Sequence, residues 1–165
     1  MTFSGASTPN QDYLDVASIT VNQPITIVAV WRANGNANYM FDAVSGDRVI
    51  IGLGLTTGAS GRAEVSAGGA TVVADSVSST GLGNITSALI NTTASELWRN
   101  GVSRASGTVG SNNIGSIRLG ERISNLSGTQ LNGYLGSFTA LSTSSSSIRK
   151  RIEHSFGFVW KLACS

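Results

Sequence analysis

The sequence is short of charge, cysteine, proline and histidine. Charged residues make up 12% of the 165 positions, where an ordinary soluble domain has roughly 25%. Nine acids against eleven bases leave a net charge of +2, and the pI of 9.0 overstates basicity because so few groups titrate. Nine of the bases are Arg, scattered from Arg32 to Arg151, with one cluster at Arg149–Arg151. Such a cluster is ordinarily the wet face of a helix, so no nucleic-acid partner is expected. Cys164 stands alone, which excludes a scaffold built on disulfides within the chain. No stretch approaches the roughly 20 apolar residues that span a bilayer, so no membrane partner is expected. The opening MTFSGASTPNQDYLDV has neither the basic start nor the apolar run of a signal peptide. Synthesis and folding in a cytoplasm are the corresponding expectation.

Reactive constellations are scarce as well. His154 is the only histidine, and it falls on the flank of a helical apolar stripe, so no Ser-His-Asp arrangement is available. Glu64, Glu96, Glu121 and Glu153 are each isolated. Asp12 with Asp15, and Asp42 with Asp47, read as turn residues rather than a metal loop. The stretch GLGLTTGASG lacks the Lys of a phosphate-binding loop and has no βαβ unit around it. No catalytic residue, no metal ligand and no cofactor is therefore expected.

What is present is material for sheets. Apolar residues are 41%, and 20 glycines accompany many Ser, Thr and Asn, the make-up of a sheet protein with many turns. One domain spanning 1–165 is expected, with no internal repeat and no linker. Phe3–Gly5 and Asp12–Val16 read as short strands. The best strand is PITIVAVWR from Pro24, where Ile25, Ile27, Ala29 and Trp31 alternate with Thr26, Val28, Val30 and Arg32. Both of its faces are largely apolar, so a central strand covered on both sides is expected. A loop follows, Ala33–Asn38, then strands at Tyr39–Ala43 and Arg48–Leu55. Gly52 and Gly54 inside the latter suggest a bulge or a close backbone approach. Arg62–Ala67 and Thr71–Ser76 flank Gly68-Gly69, a two-residue hairpin signal. Ile85–Asn91 alternates. In ELWRNGV, Asn100-Gly101 suits a type I′ turn, and Leu97 and Trp98 must face opposite ways. Ile117–Glu121 and Leu131–Leu141 complete ten to twelve strands, the count of a sandwich or barrel.

After the serine run Ser142–Ser147 comes one segment with helical periodicity, about 146–160. Ile148, Ile152, Phe156, Val159 and Trp160 fall on one face, and Arg149, Lys150, Arg151 and Glu153 on the other. A serine can cap its start. The expectation is a helix that turns back over the sheet and buries Phe156 and Trp160.

The order of these parts resembles the concanavalin A-like lectin/glucanase superfamily in its laminin-G-like or pentraxin-like form. FSGASTPNQDYLDV is similar to its first strands, PITIVAVWRA to its central strand, and ELWRNGV to its NG-turn hairpin. SIRLGE with LNGYLGSFTAL resembles its closing strands. The final SSIRKRIEHSFGFVWKL resembles the helix that ends many such domains in bacteriophage proteins. The resemblance implies an all-β, two-sheet antiparallel jelly-roll sandwich with one short C-terminal α-helix. The glucanase branch carries Glu-x-Asp-x-x-Glu on one strand, which is missing here, so a non-enzymatic protein is implied.

Two functions then stand open. One is a structural protein of a tailed-phage virion, a capsid decoration or cement, or a head or tail appendage. Its partners would be the major capsid protein or other virion proteins, in a homo-oligomer with a trimer favoured. The other is a carbohydrate-binding, lectin-like module for surface attachment. Sugar recognition needs exposed aromatic faces beside amides, and Asn36, Asn38 and Tyr39 are the candidate residues.

Overall fold

The computed structural model describes residues 2–4, 13–16, 18–35, 38–43, 49–53, 61–68, 73–78, 80–121 and 130–164. Among these residues twelve strands and one helix follow in chain order. They are β1 (Thr2–Ser4), β2 (Leu14–Val16), β3 (Ile25–Ala33), β4 (Asn38–Asp42), β5 (Val49–Leu53) and β6 (Arg62–Ala67). Then come β7 (Val73–Ser78), β8 (Asn84–Ile90), β9 (Ser95–Arg99), β10 (Val102–Gly107), β11 (Ile117–Leu119), β12 (Asn132–Ser142) and α1 (Ser146–Trp160). The strands form two six-stranded sheets, in the orders β1-β12-β3-β8-β9-β10 and β2-β11-β4-β5-β6-β7. All pairings are antiparallel. This is the jelly-roll sandwich expected from the strand pattern.

The main core lies between the sheets. From the first sheet Ile25, Ile27, Ala29 and Trp31 of β3 point inward, joined by Ala88, Ile90, Leu97 and Leu135. From the second come Phe41, Val49, Ile51, Leu53, Val65, Ile117 and Leu119. Phe138 of β12 stacks on Phe41 across the gap, ring centroids 5.3 Å apart. The Trp31 indole N–H donates to Thr86 Oγ1 at 2.8 Å, which satisfies the one polar atom that this ring takes into the core. Near one end, Arg99 of β9 pairs with Asp75 of β7 at 3.2 Å and so links the two sheets.

Local signals explain the connections. Asn100 and Gly101 both adopt positive φ (52° and 81°), the requirement of a type I′ turn, and β9 and β10 pair across them. The glycine signal in β5 appears as a bulge on its neighbour. Register shifts between Tyr39 and Phe41 of β4, opposite Gly52 and Ile51. Gly54 and most of the Gly68-Gly69 turn lie outside the described residues.

β3 is covered on both sides, as its apolar alternation requires. Its outer residues Val28 and Val30 form a second cluster with Ile85, and Ile152, Phe156, Leu162 and Cys164 pack on it. Helix α1 therefore lies on the outer face of the first sheet. Ser145 caps it by accepting from the Ile148 N–H at 3.4 Å. At the other end Lys161 turns left-handed, and the Lys161 and Leu162 N–H groups both bond the Gly157 carbonyl.

The buried face of α1 is rotated from the expected one, although Ile152 and Phe156 of the expected stripe do pack on the sheet. Arg149, Glu153 and Gly157 are its buried residues, while Phe158 and Val159 are exposed and Trp160 is 45% exposed. Two local causes account for the rotation. A β-carbon at Gly157 would come within 2.9 Å of the Leu162 carbonyl oxygen and 3.6 Å of Ile85, so this glycine lets chain and sheet approach closely. Arg149 and Glu153, one helical turn apart, pair with each other under cover. The Arg149 guanidinium also sits 4.0 Å over the Trp98 ring. Trp98 is consequently buried on the outer face while Leu97 is buried on the inner one.

Candidate functional site

The sequence candidates for sugar contact do not gather into an exposed aromatic face among the described residues. Asn36 lies outside them, and Asn38 opens β4 opposite Leu53. Tyr39 is buried on the outer side of the second sheet, in one cross-strand row with Gly52 and Glu64. His154 is exposed on α1. Burial, with Glu153 adding to it, pushes the Cys164 thiol up from its ordinary value, away from nucleophilic use near neutral pH. Among the described residues no three His, Cys, Asp or Glu side chains gather as a metal site would require. No described helix is long and apolar enough to cross a membrane.

A built surface appears instead where the C-terminal end of α1 meets the outer face of β3 and β12. The groove there encloses about 240 Å³, and Val30, Arg32, Tyr134, Gly136, Trp160 and Leu162 are among its lining residues. Its floor is apolar because Val30 and Leu162 belong to the outer cluster. Its walls are aromatic.

Gly136 positions one wall. Register between β12 and β3 shifts between Leu135 and Ser137, so Gly136 sits in a bulge. A β-carbon there would come within 2.6, 2.7 and 3.0 Å of three neighbouring atoms of the Trp160 ring. Near-equal distances to adjacent ring atoms mean approach to the ring face. The indole thus lies flat on a glycine, and its N–H donates to Ser137 Oγ at 2.9 Å. That bond fixes the ring's rotation.

Tyr134 and Arg32 form the other wall. They are direct cross-strand partners on the outer face of β12 and β3. Tyr134 is 49% exposed. The Arg32 guanidinium lies 6.0 Å from the Tyr134 ring centroid, and its Nε–H donates to Asn34 Oδ1 at 3.1 Å. The result is two half-open aromatic rings on an apolar floor, edged by the Arg32 cation.

Sequence reasoning misses this groove, although two signals mark it. Gly136 is a glycine inside a strand, the sign of a close approach by another group. Tyr134 sits at an outward position of a strand whose inward residues are Leu135, Phe138 and Ala140. What the pattern lacks is the rotation of α1, which decides that Trp160 meets Gly136.

No protein-family model matches the chain, and no curated protein matches it in sequence. Solved structures do. A native heptameric SAP-like pentraxin from Limulus polyphemus superposes with a TM-score of 0.65 at 8% identity, covering 90% of this chain and 79% of that one. The LG1-3 region of the laminin alpha2 chain gives 0.62 at 10% identity, covering 79% of this chain and 25% of that one. Domains LG4-5 of the mouse laminin alpha1 chain give 0.59 at 11% identity, with 84% and 40% covered. The chain thus spans a minor part of the two laminin chains and most of the pentraxin. At these identities the likeness extends to the fold, and the protein is a concanavalin A-like jelly-roll sandwich with a helix laid over the outer face of one sheet.

Proposed function

We propose that the protein is a non-catalytic carbohydrate-binding module that takes a sugar ring in the groove between Tyr134 and Trp160. One observation carries this reading. Trp160 is pinned flat on Gly136 by its N–H bond to Ser137, yet stays 45% exposed, with a second exposed ring and polar donors across the groove. An aromatic ring offers an apolar face to the C–H side of a sugar, and the neighbouring donors take its hydroxyls. At about 240 Å³ the groove is below the roughly 300–1,000 Å³ of drug-sized sites, which suits a single ring of a glycan chain.

A glycan array, followed by titration of the best ligand against Trp fluorescence, tests the reading. Tyr134→Ala and Trp160→Ala are each expected to weaken binding at least tenfold while leaving the other tryptophans folded in place. An array without hits, or full affinity in both variants, would overturn it.

A second reading puts the chain in a tailed-phage particle as a decoration or appendage protein, in a closed homo-oligomer. It is favoured by the exposed apolar end of α1, where Phe158 is 88% exposed and Val159 stands beside it. Isolated surface apolar groups are common, but a protruding phenylalanine next to valine suits a covered contact. Mass spectrometry of purified particles, and sedimentation of the wild type against Phe158→Ser, test this setting. A protein that is absent from particles and sediments as a monomer would remove it.

A further inference from the structure

The geometry points to an acidic sugar, one carrying a carboxylate, as the ligand of the Tyr134–Trp160 groove. This rests on the carbohydrate-binding reading and names its ligand class.

Arg32 carries the inference. It is exposed and stands on the groove's edge at the outer end of β3. Three other arginines are each engaged with an acid: Arg99 binds Asp75, Arg118 binds Asp15, and Arg149 binds Glu153. Arg32 has no such pairing among the described residues. Its Nε–H donates to Asn34 Oδ1 at 3.1 Å, and its guanidinium carbon lies 6.0 Å from the Tyr134 ring centroid. The Nε–H bond leaves its two terminal amino groups with no acceptor among the described residues.

A guanidinium with a free pair of donors is the geometric complement of a carboxylate, which accepts two parallel N–H bonds. Arg32 lines the same groove as the two aromatic side chains, so a carboxylate bound by it there belongs to a ligand that also has an apolar ring face to stack. A carboxylated sugar has both in one residue. A neutral sugar would leave the Arg32 donors to water, and a bare anion would leave the rings uncovered. The exposed cations of α1 lie further along the helix and do not line this groove. They add only a screened, nonspecific attraction.

The decisive probes differ only in charge. Trigalacturonic acid is compared with its methyl ester, and sialyllactose with its sialic acid methyl ester, on the same array and then by isothermal titration. Acidic members are expected to bind, and their neutral counterparts to bind at least tenfold more weakly. Arg32→Gln is expected to remove that difference while Lys150→Gln preserves it, and both variants should melt as the wild type does. If neutral glycans bind equally well, with Tyr134→Ala weakening them and Arg32→Gln not, carbohydrate binding stands and the acidic assignment falls. If sulfated glycans alone bind, or acidic binding survives Arg32→Gln, the assignment also falls. If nothing binds, both readings fall together.

Discussion

Arg149 shows what one side chain can cost and return. It is 5% exposed, and its partner Glu153 is 1% exposed, so two charges have been taken from water on the outer face of a sheet. Their mutual pairing and the Trp98 ring replace part of that hydration. Removing one partner strands the other. Glu153→Leu alone is expected to destabilise by about 3–5 kcal/mol, whereas Arg149→Met with Glu153→Leu together should be near neutral. Urea unfolding of the two variants distinguishes these outcomes, and equal losses would show that the pair does not act as a unit. Glu121 is a different case. Burial, opposed by the hydrogen bond from Gln130 and by Arg118, holds its carboxyl above its ordinary value of 4.5. The folded chain then keeps this proton longer than the unfolded chain does. Stability contributed here is present at low pH and is lost as pH rises from the ordinary value through the folded one. Glu121→Gln should flatten that decline and gain on the wild type at neutral pH. Urea midpoints measured from about pH 4 to about pH 8 check this.

The helix is the element whose extent is plainest in the sequence and whose orientation is least so. Its bounds, its capping serine and its return over the sheet follow from periodicity and local chemistry. Its rotation does not. Apolar residues at 148, 152, 156, 159 and 160 define a stripe, but the turn that touches the sheet is set by Gly157 and by the ion pair. A hydrophobicity pattern assigns Arg and Glu to water, and it has no way to register that they neutralise each other one turn apart over a tryptophan. The strands are more legible because period-two alternation reports both faces directly, as β3 demonstrates. The groove between Tyr134 and Trp160 needs the rotation, so its aromatic walls stay hidden in the sequence although Gly136 marks the spot. The end of the helix offers its own test. Lys161 holds φ at 53°, a region that costs an L-residue about 1–2 kcal/mol and costs glycine little. Lys161→Gly is therefore expected to raise stability by up to about 1 kcal/mol, seen as a higher melting temperature with unchanged helix content by circular dichroism.

At the scale of the whole molecule, each sheet is stitched from distant parts of the chain. β3 lies between β12 and β8, with Ile27 opposite Ala140 on one side and Ala88 on the other. Its outer face is closed only by α1 among the described elements. During synthesis, β3 leaves the ribosome with both edges unpaired; β8 follows on the order of fifty residues later, and on the order of a hundred must be added before β12 covers the second edge and α1 the outer apolar face. Long-range pairing of this kind is slow and exposes sticky surface while it waits. Nascent chains stalled before β12 should therefore be captured by a general chaperone and remain protease-sensitive, and release should coincide with emergence of α1. Pulse proteolysis of arrested chains of increasing length would follow the step, and stable protection acquired before β12 emerges would refute it. Helix α1 also completes the groove between Tyr134 and Trp160, so that groove exists only once synthesis has passed the end of the helix.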